Sequence, residues 1–353
     1  MADLEDDLYP TPEADDEPSQ RAHAVLATHP VADGYNGLSW ALRNMSRYDL
    51  ELGESAVATD VPRLRRGRVG ALFWSLHLPE DLRGDRAVGA TLEQIDLAKT
   101  VALAHPEGLR LAYDAAQTTD ARNCGRVAVL LGPASAAAVG NSLGILRSLR
   151  ALGLRVLTLT GASWASGEGG AGLTRFGEEV VREMNRLGVL ADLSGAPPET
   201  MRRTLTLSKS PVLCTRSGAG TLCPHPANLS DDLLAELGAA GGLCMVPLTA
   251  EQTGPTVRDV ADHLDHVRKI AGRDCIALSG TYDAGADHPE ELSDASSFPR
   301  LITELLHRGW EESDVALLTW GNVQRVLRGA DFTARAAQQR REPPAVTITD
   351  LDD

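Results

Sequence analysis

Short apolar runs alternate along this chain with longer segments in which apolar residues recur three and four positions apart. A short apolar run without polar alternation is typical of a strand buried on both faces, as in parallel sheets. We predict such strands at VGALFWSL from Val69, VAVLLG from Val127, VLTLTG from Val156, VLADLSG from Val189, PVLCTRSG from Pro211, LCMVPLT from Leu243 and CIALSG from Cys275.

The segments between these runs predict helices. Four of them begin at Asn141, Arg175, Ser230 and Val257, and each carries its apolar residues on one helical face. Most of these segments end on glycine, which is common just beyond the C-terminus of a helix.

An alternation of about eight strand and helix units predicts an α/β protein whose parallel strands are covered by helices. No glycine-rich phosphate-binding sequence follows the first strand, which disfavours a doubly wound open sheet. We therefore expect a closed TIM-type (β/α)8 barrel. In such barrels the functional side chains lie on the loops that follow the C-terminal ends of the strands.

The two ends of the chain differ in composition from the segments between them. Residues 1–21 are acidic and almost lack large apolar side chains, so they cannot bury enough surface to offset the entropy of ordering. We predict a disordered acidic tail over 1–21 and the barrel over 22–333. A flexible C-terminal tail is predicted over 334–353, where Pro343 and Pro344 would interrupt a helix.

Composition and charge exclude several classes of function. The chain has 353 residues and a formal net charge of −15, which argues against a nucleic-acid partner because such binding depends on clustered Lys and Arg. Its five cysteines do not form the dense framework of a secreted disulfide scaffold. Neither a signal peptide nor a long apolar run is present. We expect a cytoplasmic, bacterial protein with no membrane partner.

The run Asp33-Gly34-Tyr35-Asn36-Gly37-Leu38-Ser39-Trp40 resembles D-G-H-N-D-L-P-W, the opening motif of the membrane dipeptidase (renal dipeptidase) family. The likeness continues through most of the predicted barrel, for example in SLGILRSLRALGLRVLTLT from Ser142 and GLTRFGEEVVREMNRLGVLADLS from Gly172. The resemblance implies a barrel of the metallo-dependent hydrolase type. It also implies an ancestral active site with two zinc ions.

The same resemblance assigns the zinc ligands, and in this chain those positions carry other residues. The His and Asp of the opening motif are Tyr35 and Gly37, and the bridging Glu after the third strand is Ala134. The His positions after the fourth and fifth strands are Gly161 and Gly195. None of these five side chains is a usual zinc ligand.

Three further family positions are also changed. The ligand His after the sixth strand is Arg216, and the Arg that binds the substrate carboxylate is Ala227. In the G-x-D-F-D-G stretch after the eighth strand, the first Asp is Thr281 and the second remains as Asp283. Since a catalytic zinc needs at least three protein ligands, we expect no metal, no other cofactor and no metallodipeptidase activity.

Our leading hypothesis is a pseudoenzyme that acts as a scaffold, an accessory subunit or a small-molecule binder. Family relatives commonly form dimers, so the resemblance also implies a homodimer, and a further protein partner is possible. The candidate ligand-binding residues are Tyr35, Arg216, Tyr282 and Asp283. Arg216 would either pair with Asp283, which we favour, or bind a small carboxylate ligand.

Two enzymatic alternatives stay open, and if the chain is active we expect a hydrolase of the dipeptidase family. In the first, the same four residues perform metal-free acid–base chemistry. In the second, dipeptidase activity survives with replacement ligands from Cys223, His225 or His288. We interpret His263 and His266, three residues apart on one helix, as structural.

Overall fold

Nine parallel strands form the sheet of this protein in the computed structural model, which describes residues 17–43, 45, 48–51, 53, 56–79 and 81–352. The strands are β1 (Val31–Asn36), β2 (Val69–Leu76), β3 (Leu109–Leu111), β4 (Val127–Ser135), β5 (Val156–Thr158), β6 (Leu190–Asp192), β7 (Leu213–Cys214), β8 (Leu243–Pro247) and β9 (Ile276–Ser279).

Eight of these strands close into a barrel in the order β1-β2-β4-β5-β6-β7-β8-β9, and the ring closes where Asp33 of β1 pairs with Leu278 of β9. The short strand β3 lies outside the ring and pairs with the start of β4. The predicted TIM-type (β/α)8 barrel is therefore confirmed, and each of the seven predicted apolar runs contains a barrel strand.

Helices cover the outside of the barrel. They are α1 (Glu17–Thr28), α2 (Leu38–Arg43), α3 (Val61–Arg66), α4 (Gly84–Ala104), α5 (Ala115–Asn123), α6 (Leu143–Ala151), α7 (Ser163–Ser166), α8 (Arg175–Leu187), α9 (Pro198–Leu207), α10 (Asp231–Ala239), α11 (Ala250–Thr253), α12 (Val257–Ala271), α13 (Phe298–His307), α14 (Glu312–Ala316), α15 (Asn322–Arg340) and α16 (Ile348–Leu351).

Local sequence signals explain where the four predicted helices begin. Ser142, Thr174, Ser230 and Thr256 are the N-cap residues of α6, α8, α10 and α12, and each side chain accepts a hydrogen bond from a backbone N–H of the first turn. These bonds satisfy donors that the helix itself leaves unpaired. Asp259 completes a capping box at the start of α12.

Alternate residues of the strands point into two separate apolar layers. One layer, with Phe73, Leu130 and Met245, fills the barrel interior and continues onto Val323 and Leu327 of α15. The other packs between the barrel and the surrounding helices. Helix α15 lies across the N-terminal ends of the strands, where Asn322 and Arg325 donate to backbone carbonyls at or just before the starts of β9 and β8. We call the opposite end of the barrel, at the C-terminal ends of the strands, the mouth.

The chain termini differ from the prediction of two unstructured tails. Residues 1–16 of the predicted acidic tail lie outside the described residues, whereas residues 17–21 begin α1. Helix α15 continues past residue 334 to Arg340. Beyond it, Arg147 donates to the Pro344 carbonyl (3.1 Å), and Asp352 accepts from the Phe176 amide at the start of α8 (3.0 Å). These contacts hold the end of the chain against the barrel.

Within the described residues, no helix is both long enough and apolar enough to cross a membrane.

Candidate functional site

A cavity of about 320 Å³ opens at the barrel mouth. Its walls come from the ends of β1, β2, β4 and β5 and from the loop that follows β7, and they include Tyr35, Ser75, Ala134, Thr158 and Arg216. This is the position at which TIM barrels place their functional groups. The cavity is the candidate functional site.

Arg216 is a fixed positive charge of this cavity, which Arg83 also lines. Its guanidinium carbon lies 4.2 Å from the centroid of the Tyr35 ring, a cation–π contact worth about 0.5 to 2 kcal/mol. The Arg216 amide donates to Ser194 Oγ (2.9 Å), and the Arg216 carbonyl accepts from Gln252 Nε2 (3.2 Å). Both the backbone and the side chain of Arg216 are therefore held in place.

A buried carboxylate, Asp192, organises the side of the mouth formed by β5, β6 and β7. It accepts hydrogen bonds from the hydroxyls of Thr158 (2.6 Å), Thr215 (2.9 Å) and Ser194 (2.7 Å). It also accepts from the amides of Ser194 (3.2 Å) and Thr215 (2.8 Å). Since Ser194 Oγ in turn accepts from the Arg216 amide, this network positions Arg216.

A second buried carboxyl group, Asp33, lies on the opposite side of the barrel. Its Oδ1 accepts from the amides of Gly280 (2.5 Å) and Tyr35 (3.3 Å), whereas its Oδ2 is buried without a hydrogen-bond partner. Burial, together with the nearby Asp283, raises the pKa of Asp33 to about 7. Sequence reasoning missed this residue, although it belongs to the same run as Tyr35 and Gly37.

The loop after β9 packs directly on Gly37. The Gly37 amide donates to the Tyr282 carbonyl (2.8 Å), and the Thr281 amide donates to the Tyr35 carbonyl (2.9 Å). A Cβ atom at Gly37 would lie only 2.3 Å from the Asp283 carbonyl oxygen. The backbone thus occupies the space into which a side chain at position 37 would extend.

Four other positions singled out by the family resemblance have no polar side-chain group, whereas Thr281 donates its hydroxyl to the Gly280 carbonyl (2.6 Å). Ala134 is buried in β4. A Cβ at Gly161 would lie 2.5 Å from Ser135 Oγ, and Gly195 has a φ of +70° with open space beside it. Ala227 lies on the loop after β7, where its amide donates to His225 Nδ1 (3.1 Å).

The structure does not bring together the four candidate ligand-binding residues. Tyr282 is fully buried and donates its hydroxyl to the Leu292 carbonyl (3.2 Å), and burial raises its pKa. Asp283 Oδ1 accepts from the Ala58 amide (2.7 Å), and burial raises the pKa of this carboxyl as well. Only Tyr35 and Arg216 line the cavity.

The favoured pairing of Arg216 with Asp283 is therefore wrong. Within the part of the chain that the structure describes, the guanidinium of Arg216 has no carboxylate at ion-pair distance and stacks on Tyr35 instead. The physical reason is that the loop carrying Asp283 folds back over Gly37 and directs its carboxyl group toward the Ala58 amide.

Histidines outside the mouth serve structural purposes. His263 is buried in α12, its Nδ1 accepts from the Ala219 amide (2.9 Å), and burial lowers its pKa to about 4. His266 Nε2 lies 2.7 Å from Asp231 Oδ1. The two side chains have separate partners, which agrees with the structural role predicted for them.

The three residues proposed as replacement ligands also have separate partners. The Cys223 thiol donates to the Glu251 carbonyl (3.4 Å), and His288 Nδ1 lies 2.5 Å from the Leu248 carbonyl oxygen. His225 Nδ1 accepts from the Ala227 amide. Across the described ranges, no three His, Cys, Asp or Glu side chains are grouped closely enough to hold a metal ion.

Comparison with known proteins gives close relatives over most of the chain. A family model described as membrane dipeptidase (Peptidase family M19) matches residues 19–341. Dipeptidase 3 from Mus musculus is 37% identical over 329 residues, which cover 88% of this chain and 66% of that protein. Dipeptidase 3 from Homo sapiens is 37% identical over 328 residues, covering 87% and 66%. The chain thus spans about two thirds of the length of these curated relatives.

Solved structures with the same barrel are more distant in sequence. A metallo peptidase from Rhodobacter sphaeroides, liganded with a phosphinate mimic of the dipeptide L-Ala-D-Ala, superposes with a TM-score of 0.77 at 23% identity, covering 85% of this chain and 99% of that one. An amidohydrolase from Pseudomonas aeruginosa gives 0.76 at 23% identity, covering 88% and 98%. At this level of identity the likeness establishes the fold.

Proposed function

This chain belongs to the membrane dipeptidase family, Peptidase family M19, and from that premise we propose that it is a member without a zinc centre. In this proposal the barrel is a pseudoenzyme that serves as a scaffold, an accessory subunit or a small-molecule binder. It does not hydrolyse dipeptides.

The observation that carries this proposal is the position of Arg216. Zinc is bound by neutral His nitrogen, Cys sulfur or carboxylate oxygen, and it repels a cation. At a position that the resemblance assigns to a zinc ligand, the mouth instead carries a guanidinium, held 4.2 Å above the Tyr35 ring. The residues at the mouth do not fit a zinc ion, and we derive no reaction step through one.

Gly37 supports the same conclusion independently. Its counterpart in the family motif is an Asp ligand, but here the backbone of Asp283 and Ala284 occupies the place of a side chain. The loss therefore involves the shape of the mouth as well as the identity of the residues. A single reverting substitution would not restore a ligand there.

The relatives' name, Dipeptidase 3, favours the alternative in which hydrolysis survives. That alternative needs three replacement ligands that converge on one point, whereas Cys223, His225 and His288 each contact a separate backbone group. Metal-free chemistry by the four candidate residues is likewise unsupported, because Tyr282 and Asp283 face away from the cavity. Neither alternative has a specific geometric observation in its favour.

Metal content and turnover test the proposal together. The protein is purified without chelator and analysed for zinc by mass spectrometry, and L-Ala-D-Ala hydrolysis is then assayed before and after zinc is added. We expect no stoichiometric zinc and no turnover. Two zinc ions per chain with turnover would overturn the proposal.

The homodimer, a further protein partner and the cytoplasmic location also remain proposals. They rest on the family resemblance and on the composition of the chain. Light scattering coupled to size-exclusion chromatography measures the mass in solution, and a mass twice the 37.5 kDa of one chain is expected.

A further inference from the structure

Arg216 lacks the acceptors that a guanidinium requires. An arginine side chain has five N–H donors and no acceptor. Its Nε is buried without a hydrogen-bond partner, and among the described residues no carboxylate pairs with the group. The Tyr35 ring offsets only part of the charge, because a π face accepts no in-plane hydrogen bond. The in-plane edge of the guanidinium is left for an anion.

The cavity around Arg216 also matches an anion in charge. Of its described lining residues none is Asp or Glu, although the chain contains 49 of these acids. Ser75 and Thr160 line the same space, and neither hydroxyl makes a side-chain hydrogen bond with a described residue. The site therefore offers donors for which the described residues supply no acceptor.

Two carboxyl groups of the barrel interior could in principle have neutralised Arg216, but neither forms an ion pair with it. Asp192 is surrounded by hydroxyl and amide donors from Thr158, Ser194 and Thr215. Asp33 accepts from the Gly280 and Tyr35 amides. An external anion would supply the acceptor that the described residues do not provide.

We propose that the mouth binds a small carboxylate, whose two oxygens accept a bidentate pair of hydrogen bonds from Arg216. This inference rests on the proposed function, because zinc at the mouth would exclude the guanidinium from this place. The organic part of the ligand would lie along the wall formed by Leu76, Leu78 and Leu82. A volume of about 320 Å³ is at the small end of ligand pockets and fits a compact molecule.

The apolar wall favours an organic carboxylate over inorganic phosphate. The planar fork of Arg216 matches either anion, and Arg83 also lines the cavity. Only an organic carboxylate has an apolar part to bury against Leu76, Leu78 and Leu82. Inorganic phosphate is therefore the discriminating competitor.

Isothermal titration calorimetry tests the proposal on the full chain. Sodium acetate, butyrate, benzoate and phosphate are titrated at constant ionic strength, with chloride as the balancing salt. We expect at least one carboxylate to bind with a sub-millimolar dissociation constant. The Arg216→Gln variant should bind it about 10- to 100-fold more weakly, the range expected for losing hydrogen bonds to a charged group.

Two further variants test whether binding depends on the guanidinium of Arg216. Arg216→Lys keeps the charge but loses the fork, so its affinity should fall between those of wild type and Arg216→Gln. Arg110→Gln removes an exposed arginine from β3, at the opposite end of the barrel, and should bind like wild type. Circular dichroism verifies that each variant is folded.

The inference is overturned if no carboxylate binds, if phosphate binds more tightly than all of them, or if Arg216→Gln binds as wild type does. None of these results changes the outcome expected from the metal and hydrolysis assays. Stoichiometric zinc with dipeptide turnover would instead overturn the proposed function itself. The two failures are therefore distinguishable.

Discussion

Two buried carboxyl groups on opposite sides of the barrel have contrasting surroundings. Asp192 on β6 has hydrogen-bond donors on both oxygens, from three neighbouring residues. Asp33 on β1 has donors on Oδ1 only, and its Oδ2 is buried without a partner. The two groups are equally inaccessible to water.

This difference in hydrogen bonding gives the two sides of the barrel different properties. On the side of Asp192, both carboxyl oxygens accept hydrogen bonds, and the resulting network holds the backbone of Arg216. On the side of Asp33, burial is not compensated and the neutral acid is favoured, so the pKa rises to about 7. Asp192 therefore positions the Arg216 backbone, whereas Asp33 is an aspartate with a raised pKa.

Replacing Asp192 by Ala should give the largest effect. The change leaves five buried hydrogen bonds without their acceptor, and we expect a loss of about 3 to 5 kcal/mol in the free energy of unfolding. Urea denaturation measures it. Asp192→Asn, which keeps one carbonyl acceptor, should lose less than Asp192→Ala. A loss below about 1 kcal/mol in the Ala variant would show that water replaces the carboxylate.

The stability of the protein should depend on pH through Asp33. Folding raises the pKa of this group from 3.8 to about 7. Its contribution to the free energy of unfolding is therefore fully present below pH 3.8 and is lost as the pH rises through about 7. The free energy of unfolding should fall by up to about 4 kcal/mol over this range. Burial is the largest cause of this shift, the Gly280 and Tyr35 amides lower the pKa, and the charge of Asp283 raises it further.

Asp33→Asn should remove this dependence. The free energy of unfolding of wild type minus that of Asp33→Asn is measured at pH 5 and pH 8, and it should be smaller at pH 8. Asp96→Asn, at an exposed site on α4, is the matched control and should follow wild type. Equal differences at the two pH values would mean that Asp33 is charged throughout the range.

Placing a side chain at Gly37 should disturb the Asp33 side of the mouth. In Gly37→Ala the new methyl group would meet the Asp283 carbonyl oxygen at 2.3 Å, so the loop must shift, at a cost of about 1 to 3 kcal/mol. Thermal unfolding measures the loss. Gly89→Ala, in α4 with nothing within 4 Å, should instead be neutral or slightly stabilising. Equal effects at both positions would contradict the close packing.

Removing the aromatic face beneath Arg216 should give the smallest effect. Tyr35→Leu loses the cation–π contact and should reduce the free energy of unfolding by about 0.5 to 2 kcal/mol. Tyr35→Phe keeps the ring and should resemble wild type. If Phe and Leu are equally destabilising, the tyrosine hydroxyl matters rather than the ring face.

The sequence predicted the barrel because its signals are local. Apolar runs such as that from Val127, and capping residues such as Thr256, determine strands and helix starts without distant partners. The family resemblance then singled out candidate positions, and the structure places four of them, Tyr35, Ala134, Gly161 and Arg216, around one cavity. The end of α15 was missed because Pro343 indicated a tail, although the helix ends only at Arg340.

By itself, the sequence determined the order of strands and helices, the family, and the residue type at every position that the resemblance assigns to a zinc ligand. Only the tertiary structure decided which groups meet: Arg216 stacks on Tyr35 and not beside Asp283, and Asp33 is enclosed while Asp192 is satisfied. These outcomes depend on contacts between residues far apart in the chain, such as the packing of the Asp283 backbone on Gly37. Burial and hydrogen bonding across such contacts are set by the closed barrel, and no local sequence pattern encodes them.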